Sequence, residues 1–223
     1  LVSLANNHIF DYGAVAAIDT LAHLSQARID YVGAGRNLQE AVSGVVRTVG
    51  DISFGFLSFT NLFAAYNPNH GATFAIAPAD EETITRAVRS IGQRADIVIV
   101  QLHWGWEYEQ TARDTQRALG RAIIEAGADL VVGHHPHVIQ EIERYKNGTI
   151  AYSLGNFVFD QNFSDATSHG LVLEVTVSSE GDVRVSPRTV AFARGYQPYL
   201  LDAAAETAEE TAVRYIPTTK RTP

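Results

Sequence analysis

Two short runs without a polar residue, Ile97-Val98-Ile99-Val100 and Leu130-Val131-Val132, constrain the fold of this 223-residue chain more than any other feature. Continuous apolar stretches of this kind suit strands covered on both faces. Between them, Asp114 to Ala126 places Ala118, Leu119, Ala122, Ile123 and Ala126 at helical spacing and stops at Gly127. Strand, helix, strand in that order is a βαβ unit. Its right-handed crossover makes the two strands parallel and brings their C-terminal ends to one edge of the sheet, where open α/β folds bind ligands. The chain therefore reads as α/β, with its binding edge located before any motif is considered.

The flanking segments agree with this class. The first five residues read as a short buried strand, and Ala14 to Ala27 as a helix with a stripe at Val15, Ile18, Leu21, Ala22 and Leu24. Val45–Val49 and Ile52–Phe59 flank Gly50-Asp51 as a hairpin, and Asp80 caps a helix lined by Ile84, Ala87, Val88 and Ile91, with Gly92 as its stop. After residue 138 the style becomes antiparallel: Asn147-Gly148 reads as a type I′ hairpin turn, and Gly181-Asp182 as a second turn between alternating runs. Residues 1–200 are expected to form one domain with a parallel core and antiparallel additions, and 201–223 a poorly ordered tail.

Composition narrows the chemistry. The chain has no cysteine, which removes disulfides, thiolate metal sites and Cys nucleophiles. A formal charge of −8 argues against a nucleic-acid partner, so an anionic ligand has to be met by local positive charge or a metal. No apolar run approaches the roughly 18 residues of a membrane span.

Of the eight histidines, His103, His134, His135 and His137 follow the two buried strands directly. The crossover makes these two loops neighbours. Pro136 is expected to hold His135 extended, so that His135 and His137, two apart, face one site, while His134 points away and packs or supports it. Converging neutral imidazoles suit Zn²⁺, Mn²⁺ or Fe, and two such ions about 3.5 to 4 Å apart form a hydrolytic clamp. Asn6-Asn7-His8, with Asp11-Tyr12-Gly13, occupies an equivalent strand-end position. There Asn7 can ligate a cation, His8 can move a proton and Asp11 can orient the imidazole; a helix cap and turn is the competing reading. Trp104 and Glu107 wall the site or support it from behind, or pack a long loop. Asn156 contributes to the site or simply forms a left-handed Gly155-Asn156 turn. His23, His70 and His169 read as structural or solvated, the last two in loops without partners.

Taken in order, Ser3-Leu4-Ala5-Asn6-Asn7-His8, His103-Trp104-Gly105 with Glu107-Tyr108, Gly133-His134-His135-Pro136-His137-Val138 and Tyr152-Ser153-Leu154-Gly155-Asn156-Phe157 resemble the CapA family of capsule (poly-gamma-glutamate) biosynthesis proteins over residues 1 to about 178. That family is similar to the calcineurin-like metallophosphoesterases. The resemblance implies a four-layer α/β/β/α sandwich with a binuclear site, in which Asn7, His103, His135 and His137 hold two divalent ions and His8 is the catalytic partner. It implies hydrolysis of a phosphate ester, or alternatively a non-catalytic, polymer-binding role in capsule synthesis or export. The partner it implies is an anionic small molecule or poly-gamma-glutamate, and the location the outer face of a bacterial membrane. Members of the family carry a Gly-Asp metal motif and a second acidic motif before the Asn-Asn-His segment. Because this chain starts at Leu1, on the strand leading to Asn6, an N-terminal truncation is expected that removes the aspartate ligand and the opening strand, and with them any membrane attachment.

Overall fold

In chain order, β1 (Val2–Ser3) leads to α1 (Gly13–Gln26), then β2 (Tyr31–Val32), β3 (Ala34–Gly35), α2 (Leu38–Val42), β4 (Val45–Val49), β5 (Ile52–Thr60) and β6 (Ala75–Ile76). The middle of the chain is α3 (Glu81–Ile91), β7 (Ile97–His103), α4 (Asp114–Glu125) and β8 (Leu130–His134). The last part is β9 (Ile142–Tyr145), β10 (Gly148–Ala151), β11 (His169–Val177), β12 (Val183–Phe192), β13 (Pro198–Leu200) and β14 (Tyr215–Ile216). The computed structural model describes residues 1–62, 74–178, 181–192, 196–201 and 215–216.

A seven-stranded sheet in the order β14-β9-β10-β8-β7-β5-β4 carries the fold. Its centre, β5, β7, β8 and β10, is parallel, as the βαβ unit requires, and β4 and β9 join it as antiparallel hairpin partners of β5 and β10. One face is sealed by helices. Val98, Val100 and Leu102 of β7 and Val131 of β8 pack under Ile84, Val88 and Ile91 of α3 and Ile123 and Ile124 of α4. Asp80 caps α3 as expected, its side chain accepting from the Thr83 amide at 2.8 Å.

The opposite face is covered in two places. Toward β5 lie the small sheets β1-β2 and β3-β6, joined to it by Ser3 Oγ and Ser58 Oγ at 2.5 Å. Over them lies α1, whose Ala17 and Leu21 pack on Leu4, Ala5, Ala34, Phe74 and Ile76. Toward β9 and β10, the sheet β11-β12-β13 presents Leu171 to Ile142 and Ala151. Helix, sheet, smaller sheets, helix is the four-layer α/β/β/α arrangement.

Several local expectations are corrected. Between the two covers Ile99 and Val132 are only half-buried, so the central strands are sealed on one face rather than both. In β1 Val2 is exposed, and burial begins at Leu4 and Ala5, beyond the strand. Val15 of α1 is 83% exposed, because Ala17 and Leu21 turn the helix away from it. In α4 the exposed Ala118 is not a core position; the buried line runs through Gln116, Gly120, Ile123 and Ile124. Gly120 is the reason: a Cβ there would sit 3.2 Å from Ile150, so the helix settles with this residue against the sheet. Gln116 is tolerated inside because its amide accepts from the Arg113 backbone and donates to Gln140. The β9-β10 hairpin forms, but Gly148 pairs with Tyr145, which makes Lys146-Asn147 the two-residue loop, with Lys146 at φ 51°. In the tail, Tyr215–Ile216 adds an edge strand beside β9; the remainder of 202–223 lies outside the described residues.

Candidate metal centre

The site is assembled from loops that leave the C-terminal ends of the parallel strands. β7 ends on His103 and β8 on His134, which are register partners and therefore share one face of the sheet. His134 thus lies on the same face of the sheet as His103. Two backbone bonds tie the loops that follow: Trp104 N donates to His134 O at 3.1 Å, and Tyr108 N to Pro136 O at 2.8 Å.

His135 and His137 do converge, with ring centroids 6.0 Å apart, but not through an extended segment. Their φ angles are 99° and 60°, a region that costs a non-glycine residue about 1–3 kcal/mol and is found where surrounding structure enforces it. Tyr108, across the Tyr108–Pro136 bond, has φ 66°. Three left-handed residues therefore surround one point, and they direct Glu107, His135 and His137 so that their ligand atoms all lie within 4.8 Å of one another.

The second element is the Asn7–His103 pair, 2.8 Å between Oδ1 and Nε2 although 96 residues separate them in sequence. Asn7 is delivered by a turn in which the Asn6 side chain accepts from the His8 amide at 2.8 Å. His8 Nδ1 lies 2.9 Å from Asp11 Oδ2, so the expected orienting contact exists. With Nδ1–H donated to Asp11, Nε2 is left to exchange a proton; both side chains are more than half exposed.

Asn156 is more than a turn residue. Its Nδ2 donates to Thr167 O at 2.9 Å, which fixes the amide so that Oδ1 accepts from His137 Nδ1 at 2.8 Å. His137 then presents Nε2 with its lone pair, the arrangement found behind metal-ligating histidines. Trp104, by contrast, is fully buried: its indole donates to Tyr152 O at 2.9 Å and stacks on that ring, so it belongs to the core beneath the site. Trp106 is the exposed indole, with the Arg113 guanidinium 4.4 Å above it. Both border a cavity of about 650 Å³ that reaches Glu107 and His135.

Electrostatics favour the neutral form of His103, His134 and His135. Burial, reinforced by His135, His134, His137 and His8, pushes His103 down to about 3. Burial alone takes His134 down to about 4, and burial also lowers His135 against the opposing pull of Glu107. Neutral imidazole is the ligating form. Among the described residues His135 Nδ1 is moreover shut from solvent without a hydrogen-bond partner. An orphaned imidazole nitrogen, a tautomer-locked His137, an amide oxygen and a carboxylate form a mixed N/O donor set that fits Mn²⁺, Zn²⁺ or Fe better than all-oxygen cations.

The other histidines lie elsewhere. His23 is solvated beside Asp19 at 3.3 Å. His169 is not an unpartnered loop residue: it opens β11, and its Nδ1 meets Asp165 O at 2.8 Å. His70 lies outside the described residues. Tyr108, present in the sequence motif, had no role legible there because backbone strain leaves no trace in composition, and Arg113 gave no signal because its stacking on Trp106 spans a loop of irregular geometry.

Fold and site together define a four-layer α/β protein, in which loops at the C-terminal ends of parallel strands bring Asn and His side chains together. Residues 1–161 match the family described as bacterial capsule synthesis protein PGA_cap, and the chain belongs to that family. It is 41% identical over 177 residues to the PGA biosynthesis protein CapA of Bacillus subtilis (strain 168), covering 77% of this chain and 46% of that one. It is 33% identical over 171 residues to a probable polyglutamine synthesis accessory protein of Mycobacterium tuberculosis (strain ATCC 25618 / H37Rv), covering 71% and 44%. The chain thus spans less than half the length of these curated relatives. The crystal structure of a hypothetical protein from Thermus thermophilus superposes with a TM-score of 0.51 at 17% identity, covering 90% of this chain and 75% of that one, a likeness of fold alone.

Proposed function

We propose that this chain carries Asn and His ligands of a binuclear metal centre that hydrolyses a phosphate ester in capsular poly-gamma-glutamate biosynthesis. The observation that supports it most is the convergence of Asn7, His103, His135 and His137, from three strand-end loops, around an imidazole nitrogen with no partner among the described residues. When bound, divalent Mn, Zn or Fe ions supply Lewis-acid polarisation of a phosphoryl oxygen and an acidified water. The chain's own residues hold and orient: His103 and Asn7 on one side, His135 and His137 on the other, and Asn156 behind His137. His8, kept in one tautomer by Asp11, gives or takes the proton at Nε2. The Mycobacterium relative's description as an accessory protein and the exposed Trp106, Phe157 and Phe163 support a second reading, an anionic-polymer-binding component without turnover.

Hydrolysis of p-nitrophenyl and bis-p-nitrophenyl phosphate by the chain with added Mn²⁺ separates the two. The enzyme reading expects turnover abolished by chelator and by His135→Ala, and reduced about 10²- to 10⁴-fold by His8→Asn. Polyglutamate binding that needs metal, with no ester hydrolysed, sinks the enzyme reading in favour of the second.

Neither the −8 charge nor the strand-end chemistry points to nucleic acid as substrate. Among the described residues no helix is long and apolar enough to cross a membrane. Placement at the outer face of a bacterial membrane is part of the proposal and comes from the capsule biology of the family.

A further inference from the structure

The carboxylate grouped with the histidine pair among the described residues, Glu107, is not among the residues that the family resemblance assigns to the metals. Glu107 leaves β7 four residues after His103, in a segment that turns back through Gly105 at φ 87° and Tyr108 at φ 66°. We propose that Glu107 is a direct metal ligand, and that Glu107, His135 and His137 form one complete three-residue site for a borderline divalent cation, beside a second locus at Asn7 and His103. This rests on the metal-centre reading above and adds to it which side chain neutralises the ion.

Four observations carry the assignment. The three ligand atoms lie within 4.8 Å of one another, close enough to share a cation. The nitrogens are prepared for one: His137 Nδ1 is engaged by Asn156, which leaves Nε2 to ligate, and His135 Nδ1 is buried without a partner among the described residues. A carboxylate supporting the site from behind would approach the far nitrogen of a ligating histidine, and on His137 that position is already taken by Asn156. Glu107 is also held in place. The Tyr108 N–Pro136 O bond pins its loop to the His135-Pro136-His137 segment, and the Tyr108 hydroxyl meets the Glu107 carboxylate. Arg113, the guanidinium lining the same cavity, is committed to Glu109 at 2.7 Å and does not compete.

Two histidines and one carboxylate leave open positions on the ion, the pattern of a catalytic rather than a structural site. The ion here would face the 650 Å³ cavity, since Glu107 and His135 both line it. The Asn7–His103 locus lies next to it, with the His103 and His135 ring centroids 5.0 Å apart.

The test is metal titration of the purified 223-residue chain, read by Co²⁺ visible absorption and by Mn²⁺ calorimetry, with no activity assay involved. The wild-type chain is expected to take two ions. Glu107→Gln and His137→Ala each lose the same one, while Asn7→Ala keeps that ion and loses the other. Tyr108→Phe retains the ring and removes only the hydroxyl on Glu107; it weakens the Glu107 ion about 10-fold. A thermal melt of each variant checks folding, and Glu107 is exposed, so the substitution leaves the core intact. Unchanged stoichiometry and affinity in Glu107→Gln, with loss in His137→Ala, overturns the assignment while leaving the metal-centre reading standing. A wild-type chain that binds no ion overturns it as well, since the trio would then not suffice. Ion binding that depends on Glu107 upholds this inference, and the separate ester-hydrolysis assay decides the phosphoesterase reading independently of it.

Discussion

The site depends on single hydrogen bonds that choose a tautomer. Asn156 is the clearest case, because its amide is fixed from behind by Thr167 O and fixes His137 in turn. Asn156→Ala should therefore weaken metal binding by about 10- to 100-fold with little change in fold, measured by competition with a chromogenic chelator. The histidines also set a pH dependence for the chelator-treated chain. His103 and His134 titrate near 3 and 4 when folded and near 6.5 when unfolded, so below pH 6.5 the unfolded chain binds the extra protons. Stability is then fully present above pH 6.5 and falls as pH drops toward 4, by up to about 1.4 kcal/mol per pH unit for each histidine. Urea midpoints at pH 7 and pH 4.5 check the sign; equal midpoints contradict it. His103, His135 and His137 were legible in the sequence because they directly follow buried strands. Their geometry was not: alternation in an extended segment predicted the convergence of His135 and His137, whereas positive φ angles produce it.

At the scale of elements, patterns of apolar residues located strands and helices well, while close packing set their rotation and register. The βαβ unit and the Asp80 cap followed directly from spacing and side-chain chemistry. The facing of α4 was decided by Gly120, and a glycine contact has no hydropathy signal. Gly133 in β8 is another such position. A Cβ there would meet Tyr152 O at 1.8 Å and Trp104 Nε1 at 2.5 Å, in the middle of the hydrogen bond that seats the indole. Gly133→Ala must displace either a strand or the indole, and is expected to cost at least about 1–3 kcal/mol in a denaturant titration and to weaken metal binding, since Trp104 and His134 bracket the site. A variant as stable as the wild type would show that β8 has more freedom than this packing allows.

Across the whole molecule, the helix-sealed face of the seven-stranded sheet and the more open opposite face divide labour. The first holds the core; the second carries the binding edge, where Ile99 and Val132 remain half-buried below His103 and His134. With a net charge of −8, an anionic substrate has little reason to approach except at a bound cation, so recognition depends on the metal centre. Class and layer order could be read from strand spacing and family motifs, but the partial cover of the second face could not, because an apolar run does not record whether both of its sides are packed. The most direct test is a crystal of the chain grown with Mn²⁺, with anomalous differences collected near the manganese edge. One peak is expected among Glu107, His135 and His137 and a second beside Asn7 and His103. Full-occupancy manganese elsewhere, with neither locus filled, would contradict the metal-centre reading.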